Sequence, residues 1–418
     1  LGIPMRTRHR EVAPNQYECA PLFGLATTQI DQNLLFCQIG EEVSARHGLA
    51  FLEQEKPFAG INGSGKHNNW SLATADGVQL FKPSAINAAC NNETAFTVIM
   101  AAMIAAVDEH GDLMRMAISS PGNDFRLGAC EAPPAIVSTY LGDDMTSYLE
   151  AFKDGKTGEY NPGLKTLDLG TSSVMPFNVP AEDRNRTSPF PYGGQRFEFR
   201  AVGSSQNVSL VNTVLNALTA KKFAEISEGV EAGKDAVAVA QEMLKKHFKV
   251  IYNGNGYDPA WPAEADKLGI THIDSGVEAI DKFVAEKNVK MFEDLKVFDA
   301  AECAARRTIL LDLYVGTIEM EVGCMIDMIN QHAIPSAKAA GIDAAGMSAG
   351  VVKLEAALKE MHAAADEYEA AKLARVLRLD TMIDVRKVVD DVEAICPADK
   401  WTLATYKELL FVDVGKFA

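Results

Sequence analysis

The stretch with the clearest chemical potential in this 418-residue chain covers residues 61–72, with the sequence INGSGKHNNWSL. Its Gly-Ser-Gly bend lets the backbone approach a ligand closely, because glycine has no Cβ to clash. His67 follows the bend and offers an imidazole nitrogen, which is a common metal ligand. Asn62, Asn69 and Ser71 add hydrogen-bonding groups on either side. Alone, the pattern also fits a hairpin with a surface histidine, so its meaning depends on what the fold brings beside it.

Two glutamates near the start of the chain are the next candidates. Glu11 and Glu18 flank the turn signal Pro14-Asn15, which divides residues 6–24 into two short extended pieces. Such a turn can bring the two carboxylates towards one cavity. Two exposed glutamates are the more common outcome for an isolated pair.

The clearest periodic signal is the segment 195–200, QRFEFR. Strand alternation puts its charged residues on one face and its two phenylalanines on the other, against a core. The charged residues are Arg196, Glu198 and Arg200. Such a row is usually a salt-bridged solvent face, but the preceding loop carries Arg184 and Arg186, which favours a site. A Gly- and Pro-rich loop over 122–134 adds Arg126 and Glu131 and suits a flap, although most such loops are connectors.

These residue types together indicate metal-dependent phosphoryl transfer. Two like charges ~4 Å apart repel by about 4 kcal/mol at an effective dielectric of 20. Converging carboxylates and a histidine therefore need a hard divalent ion, Mg²⁺ or Mn²⁺. Arginines bind phosphate or carboxylate bidentately. Carboxylate-held metal facing arginines supplies the positioning and charge neutralisation that phosphoryl transfer requires.

Composition limits the class of protein. A hydrophobic content of 47% with a mean hydropathy of −0.04 indicates a soluble globular chain. The net charge of −17 argues against nucleic acid and anionic membranes as partners. No apolar run approaches a membrane span and no signal-peptide h-region opens the chain. Seven cysteines without a C-x-x-C pair favour the reducing cytoplasm.

The motifs resemble those of glutamine synthetase. The resemblance lies in H-x-E-V-A-P-x-Q-x-E, N-G-S-G-x-H-x-N-W-S and R-F-E-F-R, and the wording INGSGKHNNWSL and RLGACEAPPAI is similar to the large type III form. It implies an α+β catalytic domain, an antiparallel sheet with flanking helices, followed by a helical C-terminal bundle. Helical spacing after residue 209 agrees with that bundle. We expect domains over 1–230 and 231–418.

The resemblance also implies an activity and an assembly. Such enzymes make glutamine from glutamate, ammonia and ATP through a γ-glutamyl phosphate. Their Mg²⁺ or Mn²⁺ ions lie between the nucleotide pocket and the amino-acid pocket. The enzymes form ring-shaped homo-oligomers, here expected to be a dodecamer. Glu11 and Glu18 match the ligands of one metal, and His67 and Glu198 those of the second.

The remaining site residues are carried over in the same way. Asn62 and Gly63 match the grip on glutamate, and Arg126 and Arg200 match arginines for the substrate carboxylate or the transferred phosphoryl group. Glu131 matches the flap glutamate that shields the intermediate and helps ammonium lose its proton. The nucleotide side is matched by Ser71, Arg186 and Arg196.

The sequence departs from the family pattern upstream of Glu11, where no E-x-E strand and no small N-terminal domain are found. The chain opens without a methionine in a strand-like stretch, so we expect a truncated chain that is inactive, or nearly so, when assayed alone. The run over 189–192 replaces a second arginine expected after Arg186, and Asn69 stands where type I enzymes carry a second histidine.

Two alternatives remain open at this level. One is a different ATP-dependent carboxylate–amine ligase or a guanidino phosphotransferase on the same scaffold. The other is a non-catalytic assembly subunit whose working part is the helical bundle.

Overall fold

The computed structural model describes residues 1–161, 165–167, 170–171, 175, 177–179, 185–405 and 408–409, so Arg184 lies outside the described residues. Its contacts divide the chain into two compact units. The first unit combines Leu1–Leu25 with Ala304–Ala418, and the second is Ala26–Cys303.

The described strands are short and pair two by two. They are β1 Met5–Arg10, β2 Tyr17–Pro21, β3 Gly65–Trp70, β4 Thr139–Tyr140, β5 Lys165–Leu167, β6 Phe177–Val179, β7 Phe190–Pro191 and β8 Phe197–Gly203. The pairs β1–β2, β3–β8 and β5–β6 are antiparallel, whereas β4–β7 is parallel.

Helices make up most of the remainder. They are α1 Ala26–Arg46, α2 Pro83–Cys90, α3 Ala95–Ala117, α4 Pro121–Arg126, α5 Asp143–Lys153, α6 Ser209–Glu231, α7 Ala236–His247, α8 Trp261–Leu268, α9 Gly276–Asp281, α10 Glu286–Asp294, α11 Ala300–Met328, α12 Ile334–Ala339, α13 Ala345–His362, α14 Glu367–Val376 and α15 Met382–Glu393. Short π-helical turns at Ile329–Ala333 and Leu377–Thr381 lead into α12 and α15. The predicted α+β class with a helical C-terminal region is confirmed.

Helix α3 is the centre of the second unit. Its alanine- and methionine-rich sequence is apolar on nearly all sides, so it can be buried only by being surrounded. Helices α6, α7 and α9 pack against it. Among the described helices, none alone is long and apolar enough to cross a membrane, and α2 with α3 meet that criterion only as a pair bent by 120°.

Strand β8 places its two phenylalanines in an aromatic cluster of the same unit. Phe197 stacks on Phe190 with ring centroids 4.7 Å apart and meets Phe81 edge-on at 5.2 Å. Phe199 is equally buried and lies edge-on to Phe190 at 5.8 Å. The predicted alternation along β8 is therefore confirmed on its apolar face, and the cluster fixes where the opposite face must point.

The first unit contains the β1–β2 hairpin and most of the C-terminal helices. In α11 the buried side chains recur at helical spacing, which gives that helix one core-facing stripe. They are Leu311, Tyr314, Ile318 and Val322. The units do not follow the boundary predicted after residue 230, because α7 and α9 pack with α3 in the second unit. Which segments fold independently stays a prediction.

Candidate functional site

The β1–β2 hairpin brings both predicted N-terminal glutamates together. The turn is closed by the Glu11 N–H, which donates to the Gln16 carbonyl at 2.9 Å, and Asn15 adopts a φ of 55°. Asparagine tolerates this left-handed conformation better than most residues. His9 lies between the glutamates, with its Nε2 2.7 Å from Glu11 Oε1 and 2.9 Å from Glu18 Oε2.

One ligand atom from each of these three residues lies within 4.8 Å of the others, which is close enough to hold one metal ion. Their side chains are 46%, 33% and 36% exposed for His9, Glu11 and Glu18. Oxygen-rich groups of this kind suit a hard divalent cation. Both carboxylates were predicted from the sequence, but the histidine was not. His9 faces them because residues 9 and 18 are cross-strand partners.

In the second unit, the antiparallel pairing of β3 with β8 aligns a polar row on one face. Asn69 lies opposite Glu198, and the register shifts between Lys66 and Asn68. Such an irregularity locally redirects side chains and is common beside active sites. It lies at His67, which shares the face of Asn69 and therefore points towards Glu198.

Two members of the polar row, Glu198 and Arg200, are buried. Glu198 and Arg200 are 7% and 5% exposed, and the Arg200 Nη1 donates to Glu198 Oε1 at 3.2 Å. A salt-bridged solvent face is thereby excluded for these two residues. Because a buried ion pair is expensive to desolvate, its presence here is weak evidence for stability and better evidence for a site.

His67 supplies the observation that bears on a second metal. Its Nδ1 is buried and has no hydrogen-bond partner among the described residues, yet it lies 3.2 Å from Glu198 Oε1. A buried nitrogen without a hydrogen-bond partner costs free energy unless something else satisfies it. A divalent cation accepts electron pairs from both atom types, so these residues fit a metal.

Arg126 on α4 lies against the backbone of β8. Its Nη2 donates to the Arg200 carbonyl at 3.2 Å and its Nη1 to the Val202 carbonyl at 3.3 Å. A Cβ built on Gly65 would lie 2.0 Å from that Nη2, so only glycine fits there. Burial lowers the pKa of Arg126 to about 10, and the charge of Arg200 acts in the same direction. Arg126 therefore remains a buried cation at neutral pH.

The glycine-containing loop before β3 is held by close backbone approach. The Ser64 N–H donates to the Glu55 carbonyl at 2.9 Å, and a Cβ on Gly63 would lie 2.2 Å from that oxygen. Asn62 and Gly63 are half-buried. The close approach of this bend to a ligand stays a prediction.

The predicted nucleotide-side residues are exposed. The Arg196 Nε donates to Asn69 Oδ1 at 2.6 Å, and Ser71 lies exposed directly after β3. Arg186 is exposed on a loop that is anchored to the 253–257 loop by the Gly256 N–H, which donates to Thr187 Oγ1 at 2.8 Å.

The 127–133 loop carries the predicted flap glutamate in an unusual conformation. Cys130 and Glu131 have φ values of 42° and 66°, which non-glycine residues rarely adopt. The loop closes through the Gly128 N–H, which donates to the Pro133 carbonyl at 3.0 Å. Backbone outliers of this kind cluster at functional sites. Glu131 is exposed, so its carboxylate is available to a ligand.

Comparisons with known proteins identify the family of this chain. The model of the glutamine synthetase catalytic domain matches residues 1–120, and that of the glutamine synthetase C-terminal domain matches residues 235–341. A type-3 glutamine synthetase of Dictyostelium discoideum is 34% identical over 99% of this chain and 61% of its own length. The chain belongs to the glutamine synthetase family.

Further glutamine synthetases are similar to a comparable degree. That of Butyrivibrio fibrisolvens is 33% identical over 98% of this chain and 63% of its own length, and that of Bacteroides fragilis is 36% identical over 81% and 47%. Among solved structures, apo GmaS matches 76% of this chain and 56% of its own, with a TM-score of 0.46 and 17% identity. The chain spans about three-fifths of the first two glutamine synthetases.

Two residues that lie beside the candidate site were not predicted from the sequence. Burial raises the pKa of Tyr257, while the charges of Arg200 and Arg126 lower it and that of Glu131 raises it. Its hydroxyl also reaches the Arg186 carbonyl at 3.4 Å. Glu55 is the second, and it is 2% exposed. Neither residue belongs to a recognisable motif, and the burial of a glutamate is known only from the fold.

Proposed function

We propose that the protein to which this chain belongs ligates ammonia to L-glutamate at the expense of ATP, giving L-glutamine, ADP and phosphate through a γ-glutamyl phosphate. The observation that carries the proposal is the buried pair of Glu198 and Arg200, with the buried Nδ1 of His67 and the Arg126 guanidinium beside it, in a chain of the glutamine synthetase family. Buried cations next to a carboxylate and an unpaired imidazole suit the binding of anionic substrates and a metal.

The proposed metal sites use two separate groups of side chains. His67 and Glu198 would hold one Mg²⁺ or Mn²⁺, and Glu11 and Glu18 another, with His9 as their neighbour. A divalent ion bound there would neutralise the negative charge of ATP and of the transferred phosphoryl group. The unpaired Nδ1 of His67 supports the first group, and the convergence of three ligand atoms supports the second.

The proposed substrate residues follow from charge and position. Arg126 and Arg200 hold the glutamate carboxylate or the transferred phosphoryl group, with Asn62 and Gly63 completing the amino-acid pocket. Glu131 takes the proton from ammonium, a role that its exposed carboxylate permits. Arg186 and Arg196 bind the nucleotide phosphates, and Ser71 lies on the same side.

The assembly and compartment are part of the same proposal. We place the protein in a ring-shaped homo-oligomer, a dodecamer, in the cytoplasm. All seven cysteines lie in the described part of the chain as free thiols, which is usual in a reducing compartment.

The test compares Glu198→Gln with Glu42→Gln in the full polypeptide encoded by the gene. Glu42 is an exposed carboxylate of α1 that pairs with Arg46, so it controls for loss of a charge. Glu198→Gln should lower glutamate-dependent ADP release roughly 100-fold or more and weaken the response to Mg²⁺, with the oligomer intact.

Three results would contradict the proposal. Turnover with an alkylamine and not with ammonia would indicate a different carboxylate–amine ligase. Phosphorylation of a guanidino compound would indicate a phosphotransferase. A wild-type protein without turnover, whose assembly is indifferent to Glu198→Gln, would indicate a scaffold subunit.

A further inference from the structure

Glu55 is a buried carboxylate that no motif includes. It is 2% exposed and lies in the loop that leads to β3, one residue before Lys56-Pro57. A buried carboxylate is costly unless hydrogen bonds and a cation compensate it. The contacts of Glu55 therefore indicate what it is there to hold.

One carboxylate oxygen is bound by the loop that follows β8. The Ser205 backbone N–H donates to Glu55 Oε1 at 3.1 Å and the Ser205 hydroxyl donates to the same oxygen at 2.6 Å. The partners are 150 residues apart in sequence. Glu55 thus ties the segment before β3 to the end of β8.

The carboxylate occupies space that two glycines leave open. A Cβ built on Gly122 would lie 2.1 Å from Glu55 Oε2, and one built on Gly203 would lie 2.4 Å from Oε1. Gly122 lies on α4, one turn before Arg126, and Gly203 ends β8. No side chain at either position could coexist with the carboxylate where it stands.

The main chain of Glu55 contacts the loop of Asn62 and Gly63. Its carbonyl accepts the Ser64 N–H at 2.9 Å and lies where a Cβ of Gly63 would stand. A single residue therefore contacts the loop of Asn62 and Gly63 through its backbone, and α4 through its side chain.

Charge connects Glu55 to Arg126. The guanidinium is buried among carbonyls of β8, and its pKa is lowered by burial, whereas the Glu55 carboxylate opposes that effect. Lys66 shows the same pattern, since burial lowers its pKa and the charges of Cys37, Glu53 and Glu55 raise it. An apolar side chain would fill the space at less cost, so packing alone does not explain a glutamate here.

We propose that Glu55 is a positioning residue for glutamate binding, because it fixes Arg126 on α4 and the Asn62–Gly63 loop in one geometry. This rests on the proposed function, in which both groups contact the amino-acid substrate. Glu55 itself touches no reacting atom. Its loss should therefore weaken glutamate binding and leave the nucleotide side, at Arg186 and Arg196, unchanged.

The experiment measures steady-state kinetics of Glu55→Gln, with Gln54→Ala as the matched control, in the full polypeptide. Gln54 is the exposed neighbour in the same loop. Glu55→Gln keeps the shape and an acceptor for Ser205 but removes the charge. We expect the KM for glutamate to rise roughly 10-fold, because even a 1 Å misplacement at a site can cost ~100-fold. The KM for ATP and the kcat should stay within about twofold.

A second variant covers the possibility that Glu55→Gln fails to fold. Gly122→Ala retains the charge but puts a Cβ where Oε2 stands, so it should produce the same selective rise in the glutamate KM. Equal rises in both KM values, or a lower melting temperature with unchanged KM values, would show that Glu55 is only structural and overturn the proposal.

Hydrogen exchange separates this inference from the proposed function. In Glu55→Gln, amides of residues 61–66 and 200–206 should exchange faster than in wild type, while those of 186–193 should not change. A wild-type protein that consumes no glutamate would refute the proposed function, and the exchange pattern would still decide whether Glu55 holds these segments. Unchanged exchange in all three would refute the positioning role itself.

Discussion

The two groups of proposed metal ligands differ in how the protein holds them. His67 and Glu198 lie on a strand pair whose opposite face is packed with aromatic rings, and Glu198 is also held by Arg200. Glu11 and Glu18 lie on a hairpin, at 33% and 36% side-chain exposure, and both carboxylates lie within 2.9 Å of His9 Nε2.

The difference teaches how burial couples a site to stability. Removing one member of a buried ion pair leaves an uncompensated charge in a low-dielectric environment. Removing an exposed carboxylate exposes its partner to water at little cost. The Glu198 group is therefore expected to contribute to the stability of the fold, and the more exposed hairpin group to contribute less.

The largest expected effect sharpens this contrast directly. Glu198→Ala should lower the free energy of unfolding by about 3–5 kcal/mol, because Arg200 loses its buried partner. Glu18→Ala should lower it by less than about 1 kcal/mol. Chemical denaturation of both variants without added metal measures the difference, and equal losses would show that burial does not distinguish the two groups.

A smaller effect is expected from a substitution of Gly65, which must be glycine because the buried Arg126 lies against it. Gly65→Ala should cost about 1–3 kcal/mol of stability by overpacking and should displace Arg126, since the built Cβ lies 2.0 Å from its Nη2. The matched control is Gly316→Ala in α11, where a Cβ meets no described atom within 4 Å. That change should stabilise the helix by roughly 0.5–1 kcal/mol. If both variants shift the melting temperature in the same direction, the close approach of Gly65 to Arg126 is contradicted.

The smallest expected effect concerns a buried histidine, His110, which is compared with the exposed His9. His110 on α3 is 2% exposed, and its Nδ1 lies 3.1 Å from Asn288 Oδ1. Burial lowers its pKa below the ordinary 6.5, so the unfolded chain binds a proton there more readily than the folded one. Its contribution to stability is therefore intact above about pH 6.5 and is lost as the pH falls below it.

The variant His110→Gln should flatten that part of the pH profile. Urea denaturation between pH 7.5 and pH 5 measures it, and the exposed His9→Gln serves as the comparison. If His9→Gln changes the slope of stability against pH and His110→Gln does not, the pH dependence does not come from His110.

Local patterns in the sequence carried far in this protein. The alternation in RFEFR predicted which side chains of β8 face the core, and Pro14-Asn15 predicted the turn between β1 and β2. The motifs also led to the glutamine synthetase family. All of these depend on neighbours within a few residues, where backbone geometry fixes side-chain direction.

Only the tertiary structure decided which polar residues are buried and beside what. In the sequence, Glu198 and Arg200 fit a salt-bridged solvent face, but the structure buries both. In the sequence, Glu55 looks like one more charged loop residue. Its partners at Ser205, Gly122 and Gly203 are distant in sequence, and no periodicity encodes such a meeting. Burial is set by packing between distant segments, and it is burial that turns these charges into a site.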